Sequence, residues 1–150
     1  MSPDPMVPVK VGVIGIGNMG WHHARVLSLL RDADLVGVAD PDAERGKLAT
    51  EQFGCRWFAD YNAMLSEVEA VCIAVPTLLH HPVGLACLRA GVHVLIEKPI
   101  AASQDDANRV SYTCFPNPAR IVHFAGSSLE SPISTEQLKQ RFSVFTAQIL

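Results

Sequence analysis

The sequence predicts an α/β fold, a doubly wound parallel sheet with helices on both faces. Three observations predict it. Short apolar runs without polar alternation recur at Val9–Ile14, Leu35–Ala39, Ala70–Val75 and Val92–Ile96, the pattern of strands buried on both faces. Segments with helical spacing separate these runs, and parallel strands require such crossovers. Three closely set glycines, Gly15, Gly17 and Gly20, stand where the first strand gives way to the first helix.

Each element follows in order. Val9–Ile14 is the first strand, and Trp21–Leu30, with Val26, Leu27, Leu29 and Leu30, the first helix. Leu35–Ala39 is the second strand, ended by Asp40-Pro41. Proline suits a first helical turn, so the spacing predicts a helix over Pro41–Phe53, closed by Gly54. Arg56–Phe58 is a brief strand and Tyr61–Ser66 a helical turn or two. Ala70–Val75 is a strand stopped by Pro76, and His80–Ala90 a helix with Gly91 at its stop. Val92–Ile96 is the next strand. Ser103 caps a further helix, with Asp106 at the capping-box position. Beyond Thr113 the pattern changes. CFPNPAR is turn-like, Ile121–Phe124 can form one more strand, and GSSLESPIS is loop-like. Leu138, Phe142, Phe145 and Ile149 mark one stripe of a terminal helix over Glu136–Leu150. The division predicted is a disordered lead-in over 1–8, a nucleotide-binding domain over 9–125 and an atypical tail over 126–150.

A chain of 150 residues has room for one domain with a real core. A formal charge of −3 supplies no basic footprint for nucleic acid and no polybasic membrane patch. The N-terminal stretch has no apolar segment for a signal peptide, and no run of about 18 apolar residues could span a bilayer. Cys55, Cys72, Cys87 and Cys114 form no C-x-x-C pair. They read as free thiols of a reducing, cytoplasmic setting.

The glycines spell G-x-G-x-x-G over Gly15, Ile16, Gly17, Asn18, Met19 and Gly20. Gly15 permits the sharp turn, Gly17 leaves room for a pyrophosphate against the backbone, and Gly20 lets the helix sit close to the sheet. The first-turn amides then favour an anion. Asp40 stands 20 residues after Gly20, at the end of the second strand. A carboxylate there accepts from adenosine ribose hydroxyls and repels a 2′-phosphate. The sheet is therefore Rossmann-type, and the expected cofactor is NAD rather than NADP. The plainer alternative makes Asp40 a cap for a helix at Pro41.

A second set lies on the same rim: Pro76, Thr77 and His80 in AVPTLLHHP, and Glu97, Lys98 and Pro99 in VLIEKPI. Ligands of open parallel sheets bind outside the carboxyl ends of the strands. GIGNMG, VADPDAER and AVPTLLHHPVGLACLRAGVHVLIEKPIA together resemble the glucose-fructose oxidoreductase / inositol dehydrogenase / rhizopine-catabolism (Gfo/Idh/MocA) family, over about Val9 to Ser103. The resemblance implies an NAD(P)-dependent oxidoreductase acting on sugars, polyols or related hydroxy compounds. It implies that Lys98 contacts the reacting hydroxyl, that Glu97 and Pro99 complete that motif, and that Pro76, Thr77 and His80 line the nicotinamide side. A lysine in water holds its proton too tightly to be a good base near neutrality. Burial and a cationic nicotinamide ring would both disfavour the ammonium form. Without the resemblance, Lys98 would read equally well as a strand-end lysine in solvent.

The adjacent pairs His22-His23 and His80-His81 lack the i, i+4 spacing that suits a metal, and no metal site is expected. His22 or His23, near the glycine turn, could touch a phosphate, but both are expected at the surface; His93 is expected in a structural role, and Trp21 and Trp57 in packing. Family members are about twice this length, with a second α/β domain that forms the substrate wall. That domain carries a glycine-rich stretch with an aspartate and a histidine, and nothing after Ser103 matches it. The expectation is therefore a cofactor-binding half of an oxidoreductase, truncated or frame-shifted near its end rather than a genuine but divergent short protein. A sugar or polyol would bind only if a second domain is supplied, and a homo-oligomer is left open. The alternative is a non-catalytic NAD-binding module or remnant. A nucleotide-sheet methyltransferase would explain the glycines and Asp40 but not Glu97-Lys98-Pro99.

Overall fold

The computed structural model describes residues 7–97, 101–113 and 122–124. The expected terminal helix, most of the lead-in, Lys98, Pro99 and Cys114 lie outside the described residues.

The strands are β1 (Val9–Ile14), β2 (Ala33–Ala39), β3 (Arg56–Phe58), β4 (Ala70–Ile73), β5 (His93–Ile96) and β6 (Val122–Phe124). The helices are α1 (Asn18–Leu29), α2 (Ala43–Phe53), α3 (His80–Arg89) and α4 (Gln104–Thr113). Short 3₁₀ turns occupy Tyr61–Ala63, Leu65–Glu67 and Thr77–Leu79. All strand pairs are parallel, in the order β3-β2-β1-β4-β5-β6. The order reverses between β1 and β4, so the chain winds outward in both directions and leaves a crevice at that point.

Helices cover both faces. Ala24 and Leu27 of α1 and Ala49 of α2 pack with Val11, Val13 and Cys72. On the other face Val83, Cys87 and Leu88 of α3 and Val110 of α4 pack with Ile14, Ile73, Val94 and Ile96. Val11, Val13, Ile73 and Ile96 are fully buried, which explains why these strands carry no polar alternation.

Several boundaries differ from the sequence reading. α1 begins at Asn18, inside the glycine motif, rather than at Trp21. α2 begins at Ala43, and Pro41 stands outside its first turn. Its cap is Asp42, whose carboxylate accepts from the amides of Glu44 (3.0 Å) and Arg45 (3.2 Å). A side-chain acceptor satisfies two orphan helix donors, so it outranks proline in setting the start. Gly54 closes α2 in the left-handed conformation, φ 67°, as expected. Gly91, φ 84°, follows α3, and the Ser103 hydroxyl accepts from the Asp106 amide at 3.1 Å to cap α4.

Candidate functional site

The glycine turn has three distinct local geometries. Gly15 leaves β1 with φ 86°, a conformation that side chains rarely adopt. A Cβ there would also lie 2.9 Å from the backbone of Ala74 and Val75. Gly20 lies within α1, where a Cβ would fall 1.7 Å from the Gly15 carbonyl oxygen. The helix therefore meets the strand end backbone to backbone. Gly17 is the helix cap, and a Cβ there would meet nothing within 4 Å. Two glycines fit because the chain is crowded, and the third faces open space.

That open space is a cleft of about 770 Å³ at the β1/β4 switch, lined by Gly15, Gly17, Asn18, Met19, Asp40 and Pro76 among others. The first intrahelical bond of α1 runs from the Trp21 amide to the Gly17 carbonyl at 2.9 Å. The amides of Asn18, Met19 and Gly20 precede it. Gly17 offers no capping side chain, and the first turn has no acid. Helix-opening donors of this kind can receive an anion, and Gly17 leaves the approach clear.

Asp40 is buried beside this turn. One carboxylate oxygen accepts from the Ile16 amide and the other from the Asp42 amide, both at 2.8 Å. Its carbonyl accepts from the Trp57 indole at 2.9 Å. Asp40 thus ties the glycine turn to the end of β2, and Asp42, not Asp40, caps the following helix. A carboxylate has about four lone-pair directions, so two remain after these bonds, and Asp40 is among the residues lining the cleft. Trp57 is a packing residue as expected: its indole lies where a Cβ on Gly46 would come within 2.2 Å.

On the other side of the cleft Pro76, Leu79 and Val83 form the wall. Thr77 is half-buried at the start of the 3₁₀ turn. His80 is buried, and its Nε2 bonds the Val75 carbonyl at 2.8 Å. It holds the loop after β4, and Leu79 takes the lining position beside it. Glu97 continues the sheet past β5, its amide donating to the Ile73 carbonyl at 3.1 Å.

His23 corrects the surface placement read from the sequence. It is 2% exposed, and its Nε2 contacts Oε1 of Glu97. The signal was available. Gly20, His23, Ala24 and Leu27 form an i, i+3, i+4, i+7 stripe, the buried face of α1. Adjacency to exposed His22 obscured it.

Burial pushes the Cys87 thiol up to about 12, with a backbone hydrogen bond opposing. Cys55 is raised by burial, and Cys72 by burial and then by the Glu97 charge. Such thiols are poor nucleophiles. Among the described residues no group of three or more His, Cys, Asp or Glu is placed to hold a metal, and no helix is long and apolar enough to cross a membrane.

Comparison with known proteins matches residues 9–122 to the family GFO_IDH_MocA, described as an oxidoreductase family with an NAD-binding Rossmann fold. A UDP-N-acetylglucosamine 3-dehydrogenase from Acidithiobacillus ferrooxidans is 39% identical over 103 residues, 69% of this chain and 32% of that protein. The structure of a 3-ketoreductase from Actinomadura kijaniata, a mutant in complex with TDP-benzene and NADP, superposes with TM-score 0.73 at 30% identity. That match covers 78% of this chain and 37% of the other. A scyllo-inositol dehydrogenase from Lactobacillus casei, with bound NAD(H) and scyllo-inositol, shares the fold with TM-score 0.75 at 23% identity, over 79% of this chain and 36% of the other. The chain spans about a third of the length of the curated relatives it matches.

Proposed function

The chain belongs to the GFO_IDH_MocA family of NAD-binding, Rossmann-fold oxidoreductases, and from that premise we propose that its cleft binds NAD for hydride transfer to or from a sugar, polyol or related hydroxy compound. One observation carries the reading. Gly17, with open space where a Cβ would stand, Asn18 and Met19 at the uncapped start of α1, and Asp40 line one cleft.

Bound nicotinamide supplies the hydride acceptor or donor. The rest falls to this chain. The amides of Asn18, Met19 and Gly20 receive the pyrophosphate, with Gly15, Ile16 and Gly17 shaping its approach. Asp40 accepts from the adenosine ribose hydroxyls. Its charge opposes a 2′-phosphate, which favours NAD over NADP. Pro76 and Thr77 border the nicotinamide side, and His80 holds their loop. Glu97 and Pro99 flank Lys98 in sequence. Lys98 takes the hydroxyl proton as the hydride leaves, or holds the hydroxyl in line as a charged donor. The substrate wall comes from another domain or chain. The raised, free thiols of Cys55, Cys72 and Cys87 suit a reducing compartment, which supports a cytoplasmic setting.

A second reading is a non-catalytic NAD-binding module: the residues that line the cleft serve a dinucleotide whether or not a substrate is turned over. Calorimetric titration with NAD and NADP, then a polyol and sugar panel followed at the absorbance of reduced nicotinamide, separates the two. NAD binding with turnover supports the oxidoreductase. Binding without turnover, even with a supplied partner domain, supports the module. Failure to bind either dinucleotide overturns both.

A further inference from the structure

Resting on that reading of the rim, we propose that His23 is a positioning residue: through Glu97 it holds the end of β5, which leads into Lys98 on the nicotinamide side, in register with the pyrophosphate arm of the cleft. His23 sits one turn into α1, on the stripe that faces the sheet, and it is not among the residues lining the cleft. Glu97 follows β5, 74 positions later in the chain.

Strand alternation explains why they meet. Val94 and Ile96 of β5 pack toward α3 and α4, whereas Leu95 packs on the α1 side. Successive strand side chains point to opposite faces, so Glu97, two past Leu95, falls on the α1 side. Its backbone is fixed by the bond to the Ile73 carbonyl. Its carboxylate lies across the end of β4, near enough to Cys72 to help raise that thiol. A partly desolvated carboxylate needs a hydrogen-bond donor, and the His23 imidazole supplies one.

The contact therefore bridges β4 and joins the first helix to the end of β5. The first helix carries the amides assigned to the pyrophosphate. The end of β5 leads directly into Lys98. A dinucleotide grips both arms at once, so its nicotinamide half gains affinity only when the arms keep their spacing. His23 sets that spacing without touching the ligand.

The test compares NAD with ADP-ribose, which lacks only the nicotinamide ring, by calorimetry on the intact chain. The wild type should bind NAD more tightly than ADP-ribose. His23→Leu, which removes the donor and keeps the bulk, should weaken NAD about tenfold, the scale of one hydrogen bond to a charged group. ADP-ribose should stay within about twofold of wild type, because a bond remote from its site adds nothing to its affinity. His23→Gln, which keeps a donor near the Nε2 position, should restore most of the difference. Glu97→Ala should lose the same increment, and His23→Leu should then add nothing further. Where His23→Leu does not fold, Glu97→Ala with and without His23→Gln makes the same comparison. Equal losses for both ligands, no loss, additive losses, no rescue by glutamine, or a wild type that binds the two ligands equally would each overturn the proposal. A wild type that binds neither ligand removes the dinucleotide reading and this inference together. Wild-type binding of both ligands with an indifferent His23→Leu removes this inference alone.

Discussion

Gly20→Ala should destabilise this protein even though alanine is the better helix former. Moving from glycine to alanine within a helix ordinarily gains about 1 kcal/mol. Here the new Cβ would lie 1.7 Å from the Gly15 carbonyl oxygen and 2.8 Å from its carbon. Both are backbone atoms, so no side chain can rotate away. The helix must withdraw from the strand by more than an ångström, or the turn must open. Overpacking of this kind costs up to about 3 kcal/mol. The net loss is therefore about 2 kcal/mol, a fall of roughly 8 °C in Tm for a domain of this size. Urea denaturation should show a lower midpoint with an unchanged slope, and dinucleotide affinity should fall as the amides of residues 18–20 shift. Gly17→Val is the control. Its Cβ enters open space, so no clash arises and only the poorer cap costs stability, about 1 kcal/mol, while the valine blocks the anion and affinity falls roughly a hundredfold. A Gly20→Ala protein as stable as wild type would refute the close helix–strand contact. Undiminished affinity in Gly17→Val would refute the assignment of the turn.

Asp40→Ala should weaken NAD more than NADP. It should also cost about 2 kcal/mol in urea denaturation, since the buried Ile16 amide loses its acceptor. Asp42→Ala should lower stability by about 1 kcal/mol without altering the NAD/NADP preference, because its carboxylate serves the α2 cap. The buried thiols predict an alkaline limit. Cys87 is raised from 9.0 to about 12, so its contribution is complete below pH 9. It declines as pH rises toward 12, because the unfolded chain gives up the proton first. Denaturation midpoints measured across that range should fall, and Cys87→Ala should flatten the fall.

The strands were legible because burial on both faces leaves one signature, an apolar run. The six placed by sequence all pair in the sheet, although Val75 lies beyond the end of β4 and Ala33 adds to the start of β2. Helix starts were less legible. Asn18 and Met19 are exposed and carry no apolar periodicity, so the first turn of α1 looked like loop. At α2 a proline competed with Asp42, and only geometry shows which acid bonds the amides. For the cleft, the glycines and Asp40 announced themselves by spacing. The hold of Asp40 on the glycine turn, through the Ile16 amide, left no such mark. The contact of His23 with Glu97 spans too much sequence for spacing to reveal.

Asp40 joins three separate stretches of chain through two carboxylate oxygens and one carbonyl. On the proposed dinucleotide reading, replacing that acid to redirect cofactor choice would thus unpick the glycine bend as well. Any change of preference is then better sought on the neighbouring wall, where the exposed Arg45 stands paired with Asp42.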